Sequence, residues 1–549
     1  MAKQGKGKTG RGKSAAADQG HAKPVAPATG ASQGKPPVKE RALAATAGAG
    51  WKWPLALALG VAIVASLSIW LKASRPDAVP GDILAGSAVA APPDFPDNTG
   101  PEAGYVGSAS CAECHQSITE SYNHIAMGRS LYAPTPENII EDYEKNNEFF
   151  HEPSSIYYRM THENGKFFQE SFQKDPQGKV INQNKVQVTY VVGSGNNSRS
   201  YVHREPDGKV YQLPVAWYSE DKKWAMNPGY DNANHINFSR RITYDCMFCH
   251  AAYPDLGAGE DQTNFGESSF FPEHLEAIDC ERCHGPAQQH VKLAQSGAAA
   301  DAIKNSIINT ANLSNELQLE VCMQCHLETT SGKLPHSVHT LDKGIFGYRP
   351  GEPLEDYRYA FNHPPGTGHD DKFEIAGQAY RMRMSPCFIK SEGKMTCTTC
   401  HDPHRIPEDK VFAAIQSCLE CHAPADCTEK VELRMPVKDN CIQCHMPQRR
   451  TDDVVNVVMT DHFIQRRPPP AEELLAPKKE HGGDYRGDIV AYYPEVISED
   501  KRDLYMGLAY VSNSADLKKG LGFLDAALAR SKERPFPTVY TRGVALKML

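Results

Sequence analysis

The chain has 549 residues, enough for three or four domains. Hydrophobic residues make up only 40%, a low share for that length, and 39 prolines with 42 glycines point to many loops. The net charge of −8 is unevenly placed: residues 1–52 carry ten Lys or Arg against Asp18 and Glu40, so the remainder carries −16, which excludes nucleic acid as a partner.

Residues 1–50 are rich in Lys, Gly, Ala, Gln and Pro, with no hydrophobic periodicity, and read as a disordered basic tail. Trp53 to Leu71 is an uncharged run of 19 residues, long enough to span a bilayer as a helix. Trp51, Trp53 and Trp70 sit near its ends as interfacial anchors do, so 51–72 reads as a transmembrane anchor. The positive-inside rule then places the tail in the cytoplasm and the rest outside. A cleaved signal peptide is the competing reading, helped by Ala88-Val89-Ala90. That site lies 17 residues past an apolar run longer than a usual signal core, so an uncleaved anchor is expected. Residues 73–101, rich in Pro, Ala, Gly and Asp, suit a linker.

From 102 to 470 one pentapeptide recurs seven times. It runs CAECH (Cys111, Cys114, His115), CMFCH (Cys246, Cys249, His250), CERCH (Cys280, Cys283, His284) and CMQCH (Cys322, Cys325, His326). Within 49 residues come CTTCH (Cys397, Cys400, His401), CLECH (Cys418, Cys421, His422) and CIQCH (Cys441, Cys444, His445). Random order at this composition would give on the order of 0.02 copies. Zinc sites would pair Cys-x-x-Cys units without a histidine trailing every copy. Two cysteines so spaced can each bond a haem vinyl group, and the following histidine is the proximal iron ligand. Seven covalent haem c groups follow. Such haems are attached outside the bacterial cytoplasmic membrane, which implies export to the periplasm.

Between the first two motifs, residues 148–225 carry short β-branched and aromatic runs. Turn signals at Glu163-Asn164-Gly165, Gly193-Ser194-Gly195 and Asp207-Gly208 separate them. This predicts an inserted antiparallel β module of four to six strands. Elsewhere the fold class expected is mainly α, with little regular structure around the haems. In 495–549, Gly507, Tyr510, Phe523, Ala526 and Gly543 follow helical spacing, with the two glycines 36 residues apart. This predicts tetratricopeptide-like helical hairpins, the alternative being a plain amphipathic pair.

Electron-transfer haems usually take a second axial ligand. The candidates are His124, His235, His274, His290, His339, His404 and His462, with His336, His363 and His369 in reserve. His151, His162 and His203 fall in the β module, His21 in the tail, and His481 beyond the last motif. Two cysteines remain, Cys387 and Cys427, and an exported protein favours a disulfide between them. A thiolate ligand or reactive group near a haem is the alternative.

YVGSASCAECH, IDCERCHGPAQQHV, MTCTTCHDPH and CIQCHMP resemble the multihaem cytochromes related to the tetrahaem electron acceptor of hydroxylamine oxidoreductase, in the version with tetratricopeptide repeats after the haems. The resemblance covers roughly 101–470, with the repeats beyond. It implies a mainly helical scaffold, bis-histidine haems close enough for electron hopping, and a periplasmic location. The seven-haem count and the β module depart from the tetrahaem and octahaem patterns.

The function expected is electron transfer rather than catalysis. Only 16 and 18 residues separate the last three motifs, so their macrocycles must be neighbours. The partners expected are a quinol-linked donor or periplasmic acceptors, with the C-terminal hairpins docking a protein. The alternative is an oxidoreductase acting on a small nitrogen or sulfur compound at one five-coordinate haem.

Overall fold

The computed structural model describes residues 104–254, 269–329, 337–434, 440–480, 487–493, 496–512, 514–532 and 534–549. The chain divides into two units, Met1–Ala78 and Val79–Leu549, and every described residue belongs to the second. The basic tail, the expected anchor at 51–72, the linker 73–101, His336 and His481 lie outside the described residues. Among the described residues no helix is long and apolar enough to cross a membrane.

Helices and small antiparallel sheets are mixed, which corrects the mainly helical expectation. The helices around the motifs are α1 (Gly107–Tyr122), α2 (Tyr244–Phe248), α3 (Glu281–His284), α4 (Gln288–Gln295), α5 (Asn315–His326), α6 (Lys410–Leu419) and α7 (Cys441–His445). Most are only one to three turns long. All but α4 carry all or part of one Cys-x-x-Cys-His unit.

The β module is larger than its turn signals suggested. In chain order its strands are β1 (Leu131–Tyr132), β2 (Glu148–His151), β3 (Ile156–Glu163), β4 (Lys166–Lys174), β5 (Val180–Gln187), β6 (Tyr190–Val192), β7 (Ser198–Arg204), β8 (Val210–Gln212), β9 (Val215–Tyr218), β10 (Lys223–Met226) and β11 (Arg240–Arg241). One sheet runs β2-β3-β4-β5. The other runs β1-β6-β7-β8-β11, with β9 paired to β7 and β10 to β9. Strands β1 and β11 lie outside the expected boundaries, because two-residue strands leave no alternation to read.

Asn164 (φ 51°) and Gly165 (φ 75°) form the two-residue turn that sets Glu163 opposite Lys166. Left-handed φ at both positions is what a tight hairpin turn requires. Tyr158, Met160, Phe167, Tyr201, Val215, Trp217 and Trp224 fill the space between the sheets. A second core joins Leu131, Tyr190, Val202 and Val210 of the module to Tyr244, Phe248, Leu319, Met323 and Phe346. Motifs two and four are thereby fixed against the module.

At the C-terminus, α8 (Glu499–Ser512), α9 (Leu517–Arg530) and α10 (Phe536–Met548) pack together. A Cβ on Gly507 would sit 2.8 Å from Leu524 Cγ, and one on Gly520 would sit 2.7 Å from Val511 Cγ2. Only glycine lets α8 and α9 approach so closely. A Cβ at Gly543 would meet open space, so the third small residue of the expected repeat has no such role. The helices also bind the rest of the fold: Tyr505 Oη accepts from Leu341 N, Tyr510 Oη accepts from Ile489 N, and the Tyr359 and Tyr505 rings lie 4.6 Å apart.

Candidate haem-binding sites

Each motif occupies a helical turn or its end. In motifs three, five and six the histidine N–H donates to the carbonyl of the first cysteine, over 2.9, 3.0 and 3.0 Å. One turn places residues i, i+3 and i+4 on a single face, so both thiols and the imidazole face the same way. In α1, His115 leaves the helical backbone (φ −113°, ψ 40°).

The other ring nitrogen of several of these histidines is already engaged. His284 Nδ1 donates to Ile308 O (2.7 Å), His326 Nδ1 to Gln378 Oε1 (3.0 Å) and His445 Nδ1 to Gln465 O (2.8 Å). A carbonyl can only accept, so this fixes the tautomer whose Nε2 lone pair is available to a metal. Burial also favours the neutral ring, pushing His250 down to about 4.

An iron held about 2 Å from each of two imidazole nitrogens leaves the ring centres roughly 6 Å apart. Three pairs among the described residues that include a motif histidine have that spacing: His115–His290 at 6.4 Å, His284–His404 at 5.9 Å and His401–His462 at 6.2 Å. His290 Nδ1 donates to Ile303 O and His462 Nδ1 to Thr460 O, the same carbonyl bonding found on the motif side. The residues present therefore fit haem: His115, His284 and His401 would hold iron on one side, His290, His404 and His462 on the other. In each pair the second histidine follows a later motif. His290 lies after motif three, His404 after motif five and His462 after motif seven.

Other candidates are placed differently. Tyr158 Oη lies 3.2 Å from His235 Nε2, and Asn237 N donates to His235 Nδ1, which places His235 at the aromatic edge of the β module and in none of the three pairs. His339 Nε2 sits 3.1 Å from Asp245 Oδ1, beside motif two. His124 and His274 are exposed and stand in none of the three pairs. His363 and His369 stack face to face at 3.9 Å, too close for an iron between them. Cys387 and Cys427 carry free thiols, so the expected disulfide does not form in the structure. Cys387 lies near the thiols of motifs five and six, and Cys427 near Cys444 of motif seven.

Sequence reasoning missed the residues between the cysteines. Glu281 of CERCH accepts from Val106 N, Gly107 N and Ala287 N, tying the start of α1 to motif three. Arg282 Nη2 donates to Phe248 O of motif two over 2.6 Å, and Gln324 Nε2 of motif four donates to Arg282 O over 3.0 Å. All three side chains are at most 3% exposed. Thiols of different motifs also touch: Cys111 with Cys280, Cys249 with Cys325, Cys322 with Cys397, and Cys418 with Cys441. Motif three is thus the junction of motifs one, two and four, and the rest continue in sequence order from motif four.

Comparison with known proteins agrees with this chemistry. Residues 412–450 match the doubled CXXCH motif family. Multiheme cytochrome MtrA of Shewanella baltica (strain OS185) is 26% identical over 224 residues, 39% of this chain and 55% of the relative, so the chain spans about half the length of that curated protein. The crystal structure of outer cell wall cytochrome OcwA aligns over 81% of this chain and 99% of its own, at 14% identity and a TM-score of 0.41, a likeness too loose to assign a fold. The chain is a multihaem c-type cytochrome that binds haem covalently through its Cys-x-x-Cys-His motifs.

Proposed function

We propose that this protein relays electrons between redox partners through seven haems, anchored to the bacterial cytoplasmic membrane by residues 51–72 with its haem domain in the periplasm. The observation that carries the relay is the set of three imidazole pairs. Because each second histidine follows a later motif, ligation itself binds one haem site to the next. Haem iron supplies the one-electron chemistry, and the polypeptide supplies ligands, spacing and electrostatics. Two imidazoles on one iron leave no open position for a substrate, which favours a relay over small-molecule catalysis at these sites.

The redox partners are a quinol-linked donor or a periplasmic acceptor, with the C-terminal helices as a docking element. The resemblance to the hydroxylamine oxidoreductase electron acceptors belongs to this reading as well. Two measurements on the purified full-length protein test it. Intact mass should give seven haems, and the oxidised protein should show low-spin ferric signals throughout. A high-spin component that binds nitrite or hydroxylamine would instead support catalysis at a five-coordinate haem.

A further inference from the structure

Arg282 is among the largest fully buried side chains of the described residues, at 1% exposed. Its Nη2 is satisfied by Phe248 O, while Nε and Nη1 find no hydrogen-bond partner. The guanidinium lies over the Phe248 ring at 4.3 Å and the Tyr253 ring at 4.5 Å. No described carboxylate forms a salt bridge with it. Glu281 is turned toward Val106, Gly107 and Ala287, and Asp279 meets the backbone N–H of Arg282 rather than its guanidinium. The thiols of Cys249 and Cys325, from motifs two and four, touch each other; Cys325 is hydrogen-bonded to the guanidinium, and both also lie in the field of Arg358, whose Nη1 donates to Gln324 O. A buried cation with no carboxylate partner is costly, and arginine cannot escape the cost by losing its proton.

We propose that Arg282 is a fixed charge that raises the reduction potentials of the haems at motifs two, three and four, making the junction around motif three the place where electrons collect. The physics is the sign of one charge. Adding an electron removes one unit of positive charge from the iron, and a nearby buried cation favours that state. At an effective dielectric of about 20, a charge this near shifts each equilibrium by roughly tenfold or more. The effect reaches these haems through their attachment edges, since Cys249, Cys325 and Cys283 all lie in the field of the guanidinium. The sites of motifs one, five, six and seven stand farther along the series of contacts and feel it less.

The proposal rests on the reading of motifs two, three and four as haem attachment sites, and intact mass checks that separately. Spectropotentiometric titration of the full-length holoprotein is compared for wild type, Arg282→Gln and Arg282→Lys. With seven haems retained, Arg282→Gln should move about three electron equivalents to lower potential, each by a roughly tenfold weaker reduction equilibrium. Arg282→Lys keeps the charge and should titrate close to wild type. An unchanged curve in Arg282→Gln would overturn the proposal, as would equal shifts in both variants, which would mark a packing effect. If Arg282→Gln does not load seven haems, Arg282→Lys still decides: near-wild-type potentials support the fixed charge, and a large downward shift contradicts it. A haem count below seven in the wild type would instead remove the attachment reading beneath it.

Discussion

The motifs of this cytochrome are held in two different ways. Around motif three the polypeptide makes its own core: Phe248, Glu281, Arg282 and Gln324 are all at most 3% exposed and joined by hydrogen bonds. From Cys397 to Gln448, three attachment sites crowd together and no described residue is buried. Ile406, Val411, Phe412, Val431 and Leu433 are 42–61% exposed there. Helix α6 has an apolar face, yet none of its residues is buried. The difference teaches that the first region folds around side chains, whereas the second leaves the apolar side chains beside its attachment sites exposed.

The comparison breaks if the two regions respond alike to loss of their special parts. Glu281→Ala leaves three backbone N–H groups without an acceptor at the junction. It should destabilise the holoprotein by about 3 kcal/mol in chemical denaturation. Cys418→Ala with Cys421→Ala removes one haem from the exposed arm. Limited proteolysis should then cut within 404–434 while the β module stays intact, and resistance there would show a protein core that the structure lacks.

Another effect concerns pH. Burial pushes the Glu320 carboxyl up to about 8, partly offset by the N–H of Leu354. In the unfolded chain it ionises near 4.3. The folded state therefore holds an extra proton between these values, and stability falls as pH rises from about 5 to 8, by up to about 1.4 kcal/mol per unit. Glu320→Gln should flatten that slope in denaturation curves taken across the range.

The C-terminal helices give the mildest test. Gly520→Ala forces a methyl against Val511 and Tyr510 and should cost about 1–3 kcal/mol in that segment while leaving the haem spectrum unchanged. Gly543→Ala, exposed on α10, should stabilise its helix by about 0.5–1 kcal/mol.

The seven attachment motifs were legible because thioether chemistry demands local spacing, which a sequence displays directly. The hairpin at Asn164-Gly165 was legible for a similar reason, since only certain residues take left-handed φ. The second histidines were not, because an axial ligand is delivered by tertiary structure. His290, His404 and His462 reach motifs that precede them by more than a hundred residues or by a whole motif pair, while His235, close before motif two, is held by Tyr158 and Asn237. Glu281 and Arg282 were hidden for another reason. Glu113 holds the matching third place of CAECH and is exposed, so the pentapeptide does not say which spacer residues turn inward.

The most direct test of the account is the spin state of one haem in His404→Ala. His404 faces His284 at 5.9 Å and follows motif five rather than motif three. With seven haems confirmed by mass, the oxidised variant should gain one high-spin ferric signal in electron paramagnetic resonance and lose one low-spin signal. An unchanged low-spin spectrum would contradict the account, because the ligand opposite His284 would then come from elsewhere.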